Sequence, residues 1–469
     1  MPARLRRQRT MLALALITLL MGAAGCGGSK SNSTANGTAS HGSTGASTRP
    51  SARAPTATWP TYHRNDARTG LDPTSPPLGQ VRQKWTTQID GQLYAEPLVA
   101  GGRVLAATEG NSLYALDAGT GRMLWRVRLG TPVDGATLPC GNINPSGITG
   151  TPAIDAGHGT AYAVGFLRPA HHVLFAVNLA TGHVRWRRAI DSPGADPKVH
   201  QQRAALAVSR GRVYVAYGGL FGDCGDYHGW VVSVPAGSPS GALQAFQVPT
   251  QREGAIWAPS GPAVDARGNL FVSTGNGSST NSFDFGNSVI RLSPSLKRTA
   301  FWAPRNATAL NAQDIDLGST GPLLLPGGRA FIIGKEGVGY LLGTGRLGGI
   351  GGQLASRAVC GGAFGGSAYA AGLVYAPCVD GLVAVRVTGG ALAGGWRGPG
   401  FRAGPPIVAG GAVWTVDLDA GVLYALNAHT GAARFRAAID HPAQFTTPTA
   451  AGGWIYVGGG NRVFAFSGA

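Results

Sequence analysis

Leu113-Tyr114-Ala115-Leu116-Asp117-Ala118-Gly119-Thr120-Gly121-Arg122-Met123-Leu124-Trp125 is the stretch that decides the fold. A short apolar strand runs into Asp-Ala-Gly-Thr-Gly, a cluster of turn formers, and a second strand carries the tryptophan. The same first strand recurs as Leu174-Phe175-Ala176-Val177 and as Leu423-Tyr424-Ala425-Leu426. In each copy Thr-Gly begins seven residues on (Thr120-Gly121, Thr181-Gly182, Thr430-Gly431) and an aromatic stands at twelve (Trp125, Trp186, Phe435). Coincident spacings of this kind mark a repeat, and repeats bury their faces against their neighbours.

Weaker copies fill the gaps: Val231–Val234, Val289–Leu292, Gly339–Leu342, Leu382–Val385 and Val463–Phe466, which brings the number to eight. Ahead of each stands a hairpin, as in Pro97–Ala100, Gly101-Gly102 and Arg103–Ala107. Each unit therefore reads as four antiparallel strands, here A to D, and eight such units predict an all-β, eight-bladed β-propeller. The eighth unit ends at Phe466-Ser467-Gly468-Ala469 without a D strand, while an orphan D pattern, Val81–Ile89, precedes the first. The simplest expectation is that this N-terminal strand completes the last blade and closes the ring, which removes exposed sheet edges.

Composition agrees. Glycine is the commonest residue (75 of 469), and no sustained 3.6-residue periodicity follows residue 25. The formal charge of +17 falls to about +13 once the arginines at 4, 6, 7 and 9 are set aside. The remaining basic residues are scattered through turns with no clustered stripe, which excludes a nucleic-acid partner by this reading.

Those four arginines precede an apolar run, Met11–Met21, and then Gly22-Ala23-Ala24-Gly25-Cys26. A basic start, an apolar core of about ten residues and small residues before a cleavage point make a signal peptide over 1–25, too short to span a bilayer. The cysteine placed directly after small residues resembles the bacterial lipobox, with Ala23 where leucine is usual. Cys26 is then the acylated first mature residue, and the protein is expected to be exported and anchored to the outer face of the cell membrane. Residues 26–57, rich in Gly, Ser, Thr and Ala, read as a flexible tether, and 58–469 as the propeller.

The form at 113–125, together with Trp59-Pro60 and Arg68-Thr69-Gly70, resembles the tryptophan-docking repeat and lead-in of pyrroloquinoline quinone (PQQ)-type propellers, over about residues 58–469. That repeat is shared by quinoprotein dehydrogenases and by a lipoprotein of the outer-membrane barrel assembly machinery, so fold and function separate here. The resemblance to the dehydrogenases implies Trp257 as an aromatic floor for the cofactor, Asn276 (through its amide) and Asp314 as Ca²⁺ ligands, Asp314 also as catalytic base, and Lys335 as the cation on the quinone oxygens. Three features depart from the dehydrogenase pattern. Trp257 is two residues further from Asp265 than usual. No Cys-Cys pair exists, and Cys140-Gly141-Asn142 keeps one cysteine where that pair would fall. The second calcium ligand, a glutamate in the family, aligns with Cys224.

Apart from Cys26 there are four cysteines, Cys140, Cys224, Cys360 and Cys378. An even number in an exported chain reads as two disulfides, with three pairings open. Cys360 and Cys378 flank one end of the same hairpin, which favours their union and leaves Cys140 with Cys224. Two functions from different classes follow. The preferred one is a non-catalytic surface lipoprotein, without cofactor, whose propeller binds a protein, peptide or glycan. The alternative is a PQQ- and Ca²⁺-dependent dehydrogenase acting on an alcohol or sugar.

Overall fold

The computed structural model describes residues 57–468, in which eight sheets of four or five strands are arranged as propeller blades. The signal peptide, Cys26 and the tether as far as residue 56 lie outside the described residues. All eight anticipated third strands are present as C strands, for example Ser112–Asp117, His171–Asn178, Trp230–Pro235 and Arg462–Ser467. Arg82–Gln88 pairs antiparallel with Arg462–Ser467, Arg82 opposite Ser467 and Gln88 opposite Arg462, in the sheet of the C-terminal strands.

The repeat spacing has a physical cause that lies between blades. Trp85, Trp125 and Trp396, each on a D strand, send their indole N–H to Ala118, Leu179 and Ala428 of the next blade, at 3.1, 3.1 and 2.9 Å. Their rings lie on the glycine of the next Thr-Gly turn. A Cβ added at Gly121, Gly182 or Gly431 would meet the ring at 2.6, 2.7 or 2.4 Å. All three glycines also hold φ near +74°, the left-handed region that glycine tolerates. The core is accordingly a ring of inter-blade layers; one layer joins Tyr162 and Leu174 of blade 2 to Val213 and Tyr217 of blade 3.

Residues 59–72 circle the inside of the ring. Trp59 exchanges backbone bonds with Val99 of blade 1, and Pro60, Asp66, Ala67, Thr69 and Gly70 accept from Ile154, Val264, Leu324, Tyr369 and Val408 of blades 2, 4, 5, 6 and 7. Arg68 reaches blade 3 at Leu206 O, 3.0 Å, and Asp72 accepts from Gly452 N of blade 8, 3.0 Å. One segment thus hydrogen-bonds to all eight blades at or beside their A strands.

Besides three single-turn 3-10 helices, one α-helix departs from the all-strand expectation among the described residues. Ala307–Gln313, between blades 4 and 5, is a short helix that buries only Ala307 and Leu310. Seven residues are too few to leave a periodic apolar signature, so the segment reads as a loop in the sequence. Among the described residues no helix is long and apolar enough to cross a membrane.

Candidate functional site

Antiparallel alternation places all loops that enter A strands and all loops that leave B strands on one face of the ring. Trp257 and Asp314 come from loops of the first kind, Asn276 and Lys335 from the second. These four residues are brought together. Trp257, Asp314 and Lys335 line one cavity of about 210 Å³ with Arg203, Asp223, Asp316 and Phe445. Asn276 joins them through its amide, which donates to Asp314 Oδ1 at 2.8 Å.

The carboxylate at the centre is Asp316, not the anticipated Asp314. The helix ends at Asp314 in a left-handed conformation, φ 57°, which leaves that side chain 73% exposed. Asp316 is buried at 2% and accepts from Asn276 N at 2.8 Å and from Lys335 Nζ at 2.5 Å. Lys335 also touches Asp314 Oδ1 at 3.2 Å. Burial raises the Asp316 carboxyl above the ordinary aspartate value against the pull of Lys335. Burial lowers the Lys335 ammonium, but Asp316 and then Asp314 outweigh it and hold it above the ordinary lysine value.

Arg203 was not singled out by the sequence. Its guanidinium lies 5.3 Å from the Trp257 ring centroid and 4.9 Å from that of Phe445, and its Nε donates to Trp257 O at 3.1 Å. Burial pulls its pKa down to about 10, against the opposing charges of Asp316, Tyr94 and Asp223. A positional signal existed. Arg203, Ser319, Phe364 and Phe445 each stand four residues ahead of the A strand of their blade, and all four line the cavity. Tyr94 holds the same position in blade 1. Aligning the repeats on the C strand hides this register, because the loops between blades differ in length.

Both disulfides adopt the favoured pairing, Cys140–Cys224 and Cys360–Cys378, with Cα separations of 6.1 and 6.2 Å. The sulfurs of Cys140–Cys224 do not themselves line the cavity. Gly222 and Asp223 do, with a Cβ built at Gly222 3.5 Å from Cys140. The disulfide therefore stiffens the wall rather than filling the space behind it.

The residues present do not fit a quinone stacked on Trp257 with a cation between Asn276 and Asp314. Arg203 lies against the indole, and the Lys335 ammonium sits between the two carboxylates. The Asn276 carbonyl already accepts from Asn287 Nδ2 at 3.0 Å. The nearest acid to the lost glutamate, Asp223, accepts from the Tyr227 hydroxyl at 2.6 Å. Among the described residues, the one set of three metal-ligating side chains within reach of one another is Cys360, Cys378 and Asp380, and its two cysteines are joined to each other.

Repeat, inter-blade tryptophans and a funnel of loop residues together define a PQQ-like β-propeller. The family described as "Outer membrane protein assembly factor BamB" matches residues 80–297 and 367–469, and the chain belongs to it. The unmatched stretch between those ranges carries the helix, Asp314, Asp316 and Lys335. Quinohemoprotein alcohol dehydrogenase ADHIIG from Pseudomonas putida HK5 superposes with a TM-score of 0.67 at 15% identity, over 88% of this chain and 80% of that one. A europium-containing methanol dehydrogenase gives 0.66 at 15%, over 88% and 98%. BamB from Moraxella catarrhalis gives 0.55 at 17%, over 82% and 99%. At such identities the likeness shows the fold alone. No curated protein sequence matches the chain.

Proposed function

We propose that this chain is a non-catalytic binding module, exported and tethered through Cys26, whose funnel receives part of a protein, peptide or glycan. The observation that carries the reading is the placement of Arg203 and Lys335. One cation rests against the aromatic floor, the other closes the gap between Asp314 and Asp316. The cavity volume, about 210 Å³, is also below the roughly 300–1,000 Å³ usual for an enclosed organic ligand. The wall is nonetheless built for recognition, with aromatic rings and a few converging polar groups.

The gathering of Trp257, Asn276, Asp314 and Lys335 is what favours the second reading, a PQQ- and Ca²⁺-dependent dehydrogenase. Titration of the protein with PQQ and Ca²⁺, followed by an assay with an artificial electron acceptor, separates the two. The expected result is neither Ca²⁺-dependent binding nor dye reduction. Micromolar, Ca²⁺-dependent PQQ binding that is lost in Asn276→Ala or Asp314→Ala would overturn the binding-module reading. The tether has its own test: Cys26→Ser is expected to release the protein from membranes or stall its processing, and unchanged fractionation and trimming would remove the anchor.

A further inference from the structure

Among the described residues Arg203 makes no salt bridge, although the charges of Asp316 and Asp223 reach it across the cavity. Among the described residues its one hydrogen bond is Nε to Trp257 O, so both terminal nitrogens of the fork remain uncommitted. The acids around it are engaged elsewhere. Asp316 and Asp314 are held by Lys335, and Asp223 receives the Tyr227 hydroxyl. The guanidinium is fixed between two rings, and Phe445 keeps φ at 71°, a conformation bulky residues rarely adopt, while its ring lies beside Arg203. A partly buried charge without a partner is costly, and a planar fork held in place matches a carboxylate bidentately.

The cavity does not end at Phe445. A second hollow of about 120 Å³ shares Phe364, Gln444 and Phe445 with it and adds Val379, Leu418 and Arg402, whose guanidinium is already held by Asp419. The two hollows adjoin at these three shared residues. Phe221, 61% exposed, borders the first hollow and Val379, 37% exposed, the second. A chain longer than a small acid that lay across both hollows would cover these two side chains.

We propose that the two hollows capture the C-terminus of a peptide chain, with the terminal carboxylate on Arg203 and an apolar last side chain in the hollow between Phe364 and Phe445. This rests on the binding-module reading and names its ligand. Recognition then combines a charge-assisted pair with an apolar anchor, as in other sites that read chain ends. Arg203 supplies the discrimination between a free acid and a blocked end, and the apolar hollow supplies the preference for the last side chain.

The test is calorimetric titration of the full mature chain with acetyl-Gly-Ala-Gly-Leu as the free acid and as its C-terminal amide. The acid is expected to bind at least tenfold more tightly than the amide, and a terminal glycine in place of leucine to weaken it severalfold. Arg203→Gln is expected to bring the acid down to the amide's affinity with an unchanged melting curve, and Arg203→Lys to restore only part of the difference. Equal affinity of acid and amide, or an Arg203→Gln variant that still prefers the acid, would overturn the proposal, as would no binding of either peptide. If instead the amide or a neutral oligosaccharide binds and Phe445→Ala abolishes that binding, the carboxylate claim falls while the binding module stands. Ca²⁺-dependent PQQ binding would end both.

Discussion

Arg68 and Arg203 both serve the central channel, Arg68 in the encircling segment and Arg203 on the open face. Arg68 is 1% exposed, and its fork makes four hydrogen bonds, to Pro262 O, Thr61 Oγ1, Tyr62 O and Leu206 O at 2.7–3.1 Å. Arg203 is partly exposed and makes one. In Arg68 the guanidinium is consumed in joining blades; in Arg203 its hydrogen-bonding capacity is left over. The same residue type thus does structural work where its donors are saturated, and is available for recognition where they are not.

The largest way to break this comparison is to remove the saturated arginine with its whole segment. A chain beginning at Asp90 loses both the segment that bonds to the innermost strands and the strand paired with Arg462–Ser467. It is expected to expose a sheet edge and to aggregate or melt far below the full chain, whereas deleting residues 27–56 leaves the melting curve unchanged. Equal stability of the two truncations would remove the structural role given to residues 59–89.

Next in size is the pair of arginines themselves. Arg68→Met leaves the Pro262 and Tyr62 carbonyls without a buried donor, while Leu206 O keeps the Thr61 hydroxyl at 3.4 Å; at about 1–3 kcal/mol for each stranded group, a loss of about 2–6 kcal/mol is expected in denaturant unfolding. Arg203→Met is expected to change stability by less than about 1 kcal/mol. Comparable losses would mean that Arg203 is also structural.

Glu109 sharpens the contrast from the acid side. It is buried at 2%, two residues past a B strand on the open face, and burial raises its carboxyl to about 7 despite a 2.6 Å bond from Gly147 N. Because the folded state holds this proton more tightly than the unfolded chain, the group costs stability as pH rises from about 4.5 to about 7. Glu109→Gln is therefore expected to match the wild type near pH 4, to gain on it through that window, and to level off above it. A shift of this width corresponds to an advantage on the order of 3 kcal/mol. A pH-independent difference between the two proteins would contradict the buried proton.

The smallest effect belongs to the seams between blades. Gly121→Ala puts a side chain at φ 73° with the Trp85 ring 2.6 Å away, so a cost of about 2 kcal/mol is expected with no change in ligand binding. A neutral Gly121→Ala would separate the repeat spacing from the tryptophan docking.

Much of the candidate site was legible, for a reason tied to the repeat. Trp257 and Asp314 lead into the A strands of blades 4 and 5, Asn276 and Lys335 follow the B strands of the same blades, and a ring turns both kinds of loop to one face. Which carboxylate points inward was not legible. Asp314 and Asp316 differ by two residues, and the left-handed end of a seven-residue helix, too short to announce itself, turns one to solvent and leaves the other inside. Arg203 was missed because its register runs from the A strand, and loops of unequal length break the count from the C strand.

The sequence by itself determined the strand order and the number of blades, and it favoured the partner strand for residues 81–89 and one of three cysteine pairings. These follow from local pattern: short strands, turn residues and a spacing repeated along the chain. Tertiary structure alone decided where the charges are spent. Burial and counter-ions come from residues far apart in the chain, so only the folded structure shows that Lys335 joins Asp314 and Asp316, that Arg68 is saturated, and that Arg203 is left between two rings without a salt bridge.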